Sequence, residues 1–201
     1  RVELEEKVKE SESRFRAIYE TIDEGIVYQD SEGAIMDANP AAEEILGLSL
    51  EQMTGKKSLD PEWKALREDG SNYPGEEHPA MEALQTGKEV KDRVMAVYHP
   101  KTDKHVWINV NSYPVFKNGS EKPQMVYSTF DEMTDEYLAK KALRVSEARF
   151  RAIFENSAVS IALVDFDGKP VLFNESLPKM LGYPEKELRE LAFVEFTHPD
   201  D

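Results

Sequence analysis

The chain has 201 residues and a formal net charge of −15 at neutral pH, because 40 acidic residues outnumber 25 basic ones. Such a surface repels phosphate backbones and anionic lipid, which excludes nucleic acid as a predicted partner. Cysteine is absent, which excludes disulfides and thiolate metal sites, and no apolar run is long enough to insert into a membrane. The charged first residues are unlike a signal peptide, so the sequence predicts a cytoplasmic protein.

The first predicted element is an amphipathic helix over residues 1–22. Its apolar side chains recur at heptad spacing, at Leu4, Val8, Phe15 and Ile18. Most of the intervening positions are charged, and a narrow stripe of this kind favours a partner helix. The stripe therefore predicts a homodimer held by a coiled coil, with packing on the chain's own domain as the alternative.

Two strands and several short helices come next. Residues 25–30 and 34–38 have the apolar content and the central turn of a hairpin. Short helices are predicted from residue 40 to residue 53 and again at residues 78–86. The segment between these helices is irregular, because proline and glycine interrupt it.

Three further strands complete the unit, at residues 90–98, 105–116 and 124–130. Turn residues at 100–103 and 117–119 join them as antiparallel hairpins. The order of two strands, short helices and three antiparallel strands predicts an α+β domain with helices on one face of the sheet.

Part of this unit occurs twice. The segment Arg14–Ile18 returns as Arg149–Ile153, and Asn39 returns as Asn174, both at an offset of 135 residues. Two copies in tandem are therefore predicted. The predicted organisation is an amino-terminal helix at 1–22, a complete domain at 23–134, a linker helix at 135–155 and a truncated second domain at 156–201. We expect the chain to be a piece of a longer protein.

These landmarks resemble the PAS family of sensory domains over about residues 13–136 and again from residue 146. The landmarks are Arg14–Ile18, the Asp30–Gly33 turn, Asn39, Leu46–Leu48, the Trp107 strand with Pro114, the Glu132–Asp135 exit and, in the second copy, Leu181–Tyr183, Glu187–Leu188 and His198–Asp201. The resemblance implies the PAS fold, a five-stranded antiparallel sheet of order 2-1-5-4-3 cupped by helices, with flanking amphipathic linker helices.

The resemblance also implies a function in signal transduction. PAS domains sense a signal and pass a conformational change along linker helices to an output domain in the same chain. A histidine kinase of a two-component phosphorelay is the expected output, and the input module of a cyclic-dinucleotide cyclase is an alternative. A ligand-free dimerisation scaffold is the other alternative. The chain itself carries no catalytic motif, so we do not expect this fragment to be an enzyme.

The cup of the PAS fold implies which side chains would line a small-molecule site. Strand alternation and family placement together select Val27, Gln29, Met81, Leu84, Met95, Val97, Ile108, Val110, Ser112, Ser128 and Phe130. Most of them are apolar. The three polar members favour a small pocket over a solid core, because buried polar groups need partners.

The sequence assigns no cofactor and no metal. Haem-binding relatives use a histidine on the helix before the third strand, and His78 begins that helix. We expect its ring to be exposed in the first turn, which argues against haem. Ser58 lies in the region where photosensing relatives carry a cysteine, so a cysteine-adduct flavin is excluded. The four histidines do not have the spacing of metal ligands.

Overall fold

The computed structural model describes residues 2–117 and 119–196, with the backbone alone for residues 2–4 and 196. The chain divides into two compact units, residues 1–137 and residues 138–201. Three predicted features lie outside the described residues: the Leu4 side chain, the turn residue Asn118 and the His198–Asp201 motif.

The first unit consists of an amino-terminal helix, a five-stranded antiparallel sheet and short helices. The strands are β1 (Gly25–Asp30), β2 (Ile35–Ala38), β3 (Val90–His99), β4 (Lys104–Phe116) and β5 (Pro123–Glu132). The helices are α1 (Val2–Thr21), α2 (Pro40–Leu46), α3 (Leu50–Met53) and α4 (Pro79–Thr86), with single 3₁₀ turns at Pro61–Trp63 and Gly75–Glu77. The spatial order β2-β1-β5-β4-β3 confirms the predicted fold class and strand order.

The register of the central strands brings distant residues onto one face. Val27 of β1 lies opposite Ser128 of β5, and Ser112 of β4 lies opposite the same serine. Because side chains alternate along a strand, these residues and their second neighbours point to the same side of the sheet. That side packs against α2 and α3 as the main apolar core, which includes Ala42 and Met53, both fully buried.

A buried asparagine joins α1 to the sheet and to α2. Asn39 is the N-cap of α2, and its Oδ1 accepts the backbone N–H groups of Ile26 and Ala42 at 2.8 and 2.9 Å. Its amide donates to the carbonyl oxygens of Tyr19 and Glu24 at 3.2 and 2.9 Å. One side chain therefore satisfies four backbone groups that belong to three separate parts of the chain.

The last strand of the sheet continues into helix α5 (Thr134–Glu155), within which the boundary between the two units falls. The Thr134 hydroxyl accepts the backbone N–H of Trp107 at 3.0 Å, and the Trp107 ring stacks on Tyr137 with centroids 3.7 Å apart. The Tyr137 hydroxyl donates to the Glu68 carbonyl oxygen at 2.8 Å. The first turn of α5 is therefore attached to the outer face of the sheet.

The second unit repeats the beginning of the first. It contains β6 (Ala162–Val164), β7 (Pro170–Phe173), α6 (Ser176–Leu181), α7 (Glu185–Leu188) and α8 (Phe193–Phe196). Asn174 accepts the Ile161 N–H at 3.0 Å and donates to the carbonyl oxygens of Phe154 and Val159 at 3.0 and 2.9 Å. These are three of the four contacts that Asn39 makes, so the sequence repeat corresponds to a repeated structural contact.

Within the second unit the hairpin of β6 and β7 has little cover. Leu163 and Val171 remain more than half exposed, as does Val159 ahead of the hairpin. Among the described residues β6 pairs with β7 alone, whereas β1 of the first unit has partners on both edges. No helix within residues 2–117 and 119–196 combines the length and the apolar character that crossing a membrane requires.

Candidate functional site

A cavity of about 90 Å³ lies inside the cup of the first unit. The sheet contributes eight residues that were selected from the sequence: Val27, Gln29, Met95, Val97, Ile108, Val110, Ser128 and Phe130. Seven further residues complete the lining: Ile35, Leu46, Ser58, Trp63, His78, Pro79 and Ala80. The lining therefore comes from all five strands, from the ends of α2 and α4, and from the irregular segment between α3 and α4.

Three of the selected residues do not line the cavity. The Ser112 hydroxyl is fully buried and hydrogen-bonds to the Ser128 hydroxyl at 2.7 Å. Met81 turns toward the β1–β2 turn, where a Cβ added at Gly33 would lie 2.5 Å from its sulfur. Leu84 lies on the same face of α4 as Ala80 but one turn farther on, and it packs in a separate small cluster.

Several polar groups of the cavity already have protein partners. The Gln29 amide donates to the Gly33 carbonyl oxygen at 2.8 Å and to the Ser58 hydroxyl oxygen at 3.1 Å. Each serine hydroxyl offers one donor and two acceptor positions, so Ser58 and Ser128 can each make a further hydrogen bond. The lining contains no lysine, arginine or carboxylate. Such a site can hold a small neutral molecule with one or two polar groups.

The structure corrects the expectation for His78. Its ring is buried and lines the cavity, and Nε2 lies 3.0 Å from the Tyr73 carbonyl oxygen. Tyr73 also packs edge-on against the ring, with centroids 5.1 Å apart. The sequence suggested exposure because the helix begins there. The Tyr73 side chain and carbonyl oxygen cover the ring instead, which sequence spacing does not reveal.

The surroundings of His78 do not fit haem. A carbonyl oxygen accepts only, so Nε2 carries the proton that bonds to Tyr73 and cannot ligate iron in that state. Burial lowers the pKa of His78 below its ordinary value of 6.5, which keeps the ring neutral. The cavity of about 90 Å³ is also smaller than the roughly 300–1,000 Å³ of typical cofactor pockets.

Acidification is expected to destabilise the first unit through His78. Because the folded-state pKa is lowered, the unfolded chain takes up a proton first as the pH falls below about 6.5. The contribution of His78 to the free energy of unfolding is therefore fully present above the unfolded-state pKa. It is lost as the pH falls toward the folded-state pKa, at up to about 1.4 kcal/mol per pH unit.

The measurement is urea unfolding between about pH 7 and pH 5, followed by tryptophan fluorescence. Both tryptophans, Trp63 and Trp107, belong to the first unit. His78→Gln retains an amide donor for Tyr73 but does not titrate, so its stability should depend less on pH. His105→Gln is the matched control, because His105 is half-buried and its Nε2 likewise lies 2.9 Å from a carbonyl oxygen, that of Lys64. Equal pH dependence of the parent and His78→Gln would contradict the prediction.

The α1 stripe, defined as Val8, Phe15 and Ile18, is not covered by the first unit. These side chains are 50%, 60% and 60% exposed. Phe15 stacks on Tyr19 one turn later, with centroids 5.9 Å apart, and Tyr19 is half-buried against the sheet residue Tyr28. The stripe therefore forms an exposed apolar face on a helix whose last turn Asn39 holds in place.

Comparison with known proteins gives one family. Residues 13–125 and 148–201 match the family model described as PAS fold. The sensor histidine kinase TmoS of Ectopseudomonas mendocina is 38% identical over 60 residues, which are 30% of this chain and 6% of TmoS. The probable diguanylate cyclase DgcE of Escherichia coli (strain K12) is 40% identical over 62 residues, 31% of this chain and 6% of DgcE.

A solved structure extends the comparison to the fold. The crystal structure of a sensory box histidine kinase/response regulator from Burkholderia thailandensis E264 superposes with a TM-score of 0.50 at 17% identity. The superposition covers 69% of this chain and 98% of that one. At this identity the likeness shows the fold alone. The chain spans about 6% of the length of the two curated relatives.

Proposed function

Because the chain belongs to the PAS family, we propose that it is the cytoplasmic, ligand-binding input module of a longer signalling protein. The single observation that carries this proposal is the cavity in the cup, with Gln29, Ser58 and Ser128 on its wall. The relative TmoS supports a sensor histidine kinase in a phosphorelay as the whole protein. The relative DgcE supports a diguanylate cyclase as the second candidate.

The proposed ligand is small, neutral and mostly apolar. An apolar protein cavity of about 150 Å³ holds benzene, so about 90 Å³ admits a smaller group, such as a short branched alkyl chain. A dicarboxylate fits poorly, because no cation lines the cavity and burying an unpaired charge is costly. The serine hydroxyls would contribute the one or two hydrogen bonds that orient the molecule.

The proposed output route leads from β5 into α5. Ser128 and Phe130 line the cavity on β5, and the same strand ends at Glu132, next to the first turn of α5. That turn is held against β4 by Thr134 and Tyr137. A ligand can signal only if it binds two arrangements of this junction with different affinity. The proposed signal is therefore a ligand-dependent change in the attachment of α5.

Filling the cavity is expected to abolish ligand binding without unfolding the domain. Ala80→Leu adds three carbon atoms at the cavity wall, where they can bury apolar surface at about 25 cal/mol per Å². Native mass spectrometry should show a bound small molecule in the parent and none in this variant. Neutral compounds that raise the melting temperature of the parent should not raise that of Ala80→Leu.

Ala41→Leu is the matched control, since Ala41 is half-buried on α2 and does not line the cavity. It should bind like the parent. If the parent carries no bound species and no neutral compound stabilises it, the ligand-free scaffold becomes the better description. The exposed α1 stripe supports dimerisation under either description.

A further inference from the structure

A second, larger pocket adjoins the cavity in the cup. This outer pocket has a volume of about 460 Å³ and is lined mostly by the 58–66 and 72–78 segments together with His105. Ser58, Trp63 and His78 line both the outer pocket and the cup cavity. Because the same side chains face both spaces, the wall between them is one side chain thick.

The wall side chains are held by the backbone of the two segments. The Trp63 indole N–H donates to the Lys57 carbonyl oxygen at 2.9 Å, and His78 bonds to the Tyr73 carbonyl oxygen at 3.0 Å. The segments also approach each other closely at Gly75, where an added Cβ would overlap the Ser58 carbonyl oxygen. A ligand that occupies both spaces therefore has to displace the Trp63 or His78 side chain from this wall.

The two spaces suit different parts of one molecule. The cup cavity alone has room only for a short alkyl group, whereas about 460 Å³ lies within the roughly 300–1,000 Å³ of ordinary ligand pockets. The cup wall is mainly aliphatic, whereas the outer pocket contains the polar side chains of Asn72, His105 and Lys64. An amphiphilic molecule would place its alkyl end against the aliphatic cup wall and its polar head among the polar side chains of the outer pocket.

The charges of the outer pocket favour a neutral head group. Lys64 Nζ lies over the Tyr98 ring, 4.1 Å from its centroid. The Asp60 carboxylate accepts the Glu62 N–H at 2.9 Å and lies 3.6 Å from Lys56 Nζ. Glu76 is exposed at the rim and would repel an anion. Asp60 is already paired with Lys56, and Glu76 lies in solvent at the rim, so neither carboxylate compensates a buried cationic head for its lost hydration.

We propose that the ligand of this module is an amphiphile whose branched alkyl end occupies the cup cavity and whose neutral, hydrogen-bonding head, an amide or a hydroxyl, occupies the outer pocket. This extension rests on the proposed function. With the proton on Nε2 of His78, the other ring nitrogen is a hydrogen-bond acceptor at the wall. The head therefore carries at least one N–H or O–H donor.

The probes are isocaproamide, its matched anion isocaproate, its matched cation isohexylamine, and isobutanol, which is short enough for the cup alone. NMR signals of the Met95 methyl group and the Trp63 indole N–H report on the cup and on the shared wall. Isocaproamide should shift both signals with one dissociation constant, whereas isobutanol should shift mainly that of Met95. The anion and the cation should bind at least about tenfold more weakly than the amide, because each would bury a charge.

Two variants test whether the ligand occupies the outer pocket as well as the cup cavity. Leu59 lines the outer pocket only and is 46% exposed, so Leu59→Trp fills that pocket at small risk to the fold. It should weaken isocaproamide binding about fivefold, comparable to the loss of one hydrogen bond, and leave isobutanol binding unchanged. Met36→Trp, at a position 45% exposed and outside both spaces, should change neither.

The outcomes distinguish this extension from the proposed function. If isobutanol shifts the Met95 signal but Leu59→Trp leaves isocaproamide binding unchanged, the outer pocket is not part of the site and the cup still binds ligand. If isocaproate or isohexylamine binds as tightly as the amide, the neutral head is wrong. If neither isobutanol nor isocaproamide shifts the Met95 signal, both the extension and the ligand-binding function fail.

Discussion

Replacing Asn39 by alanine is expected to lower the free energy of unfolding of the first unit by about 3 kcal/mol. The substitution leaves the part-buried N–H of Ile26 and the buried N–H of Ala42 without their acceptor. It also removes the donor to the Tyr19 and Glu24 carbonyl oxygens. Asn39 is fully buried, so water cannot replace these bonds without opening the structure.

Urea unfolding followed by tryptophan fluorescence measures this effect in the first unit, where both tryptophans lie. Asn174→Ala is the matched control, because it removes the three corresponding hydrogen bonds from the second unit. The control should leave the fluorescence transition unchanged. A loss below about 1 kcal/mol for Asn39→Ala would mean that its four bonds are dispensable for folding.

The double substitution Val8→Asp with Phe15→Asp is expected to convert a dimer into a monomer. Both side chains belong to the exposed α1 stripe, and burying them between two helices removes apolar surface worth about 3 kcal/mol or more. Two aspartates would place like charges at the same seam. Dimerisation should therefore weaken by at least about 100-fold, as measured by sedimentation equilibrium.

The fold of the first unit should survive this change, since neither side chain is part of its core. Far-ultraviolet circular dichroism and the urea transition should show a retained sheet. Lys9→Gln with Arg16→Gln makes the same change in net charge about 100° around the helix from Val8 and Phe15, outside the α1 stripe. This control should remain dimeric. If the parent protein is already a monomer at micromolar concentration, or if the double variant sediments like the parent, the α1 stripe is not a dimer interface.

Much of the sheet and of its inner face could be predicted from sequence because the relevant signal is local. Side chains alternate along any strand, so Ile108 and Val110 had to share one face of β4 and Trp107 the other. The same alternation selects Val27, Met95 and Phe130 without any information on which strands pair. The helical stripe of α1 follows from heptad spacing in the same way, and the repeat placed Asn174 in the role of Asn39.

The covering side of the cavity was decided only by tertiary structure. The segment between α3 and α4 has no regular period, so the direction of each side chain there depends on contacts with distant parts of the chain. Ser58 faces the cavity because Gln29, on β1, donates to it. His78 is buried against the ring and the carbonyl oxygen of Tyr73, and Trp63 is fixed by the Lys57 carbonyl oxygen.

The orientation of α4 also could not be predicted from the sequence. Its helical content was evident from sequence, but the rotation of a short helix about its own axis is set by what it packs against. Met81 meets the turn at Gly33, and Leu84 packs outside the main core. Pro79 and Ala80, at the start of the helix, are the residues that reach the cavity. Backbone periodicity determined which residues of the sheet face inward, whereas long-range packing determined how the helices and loops close the cup over them.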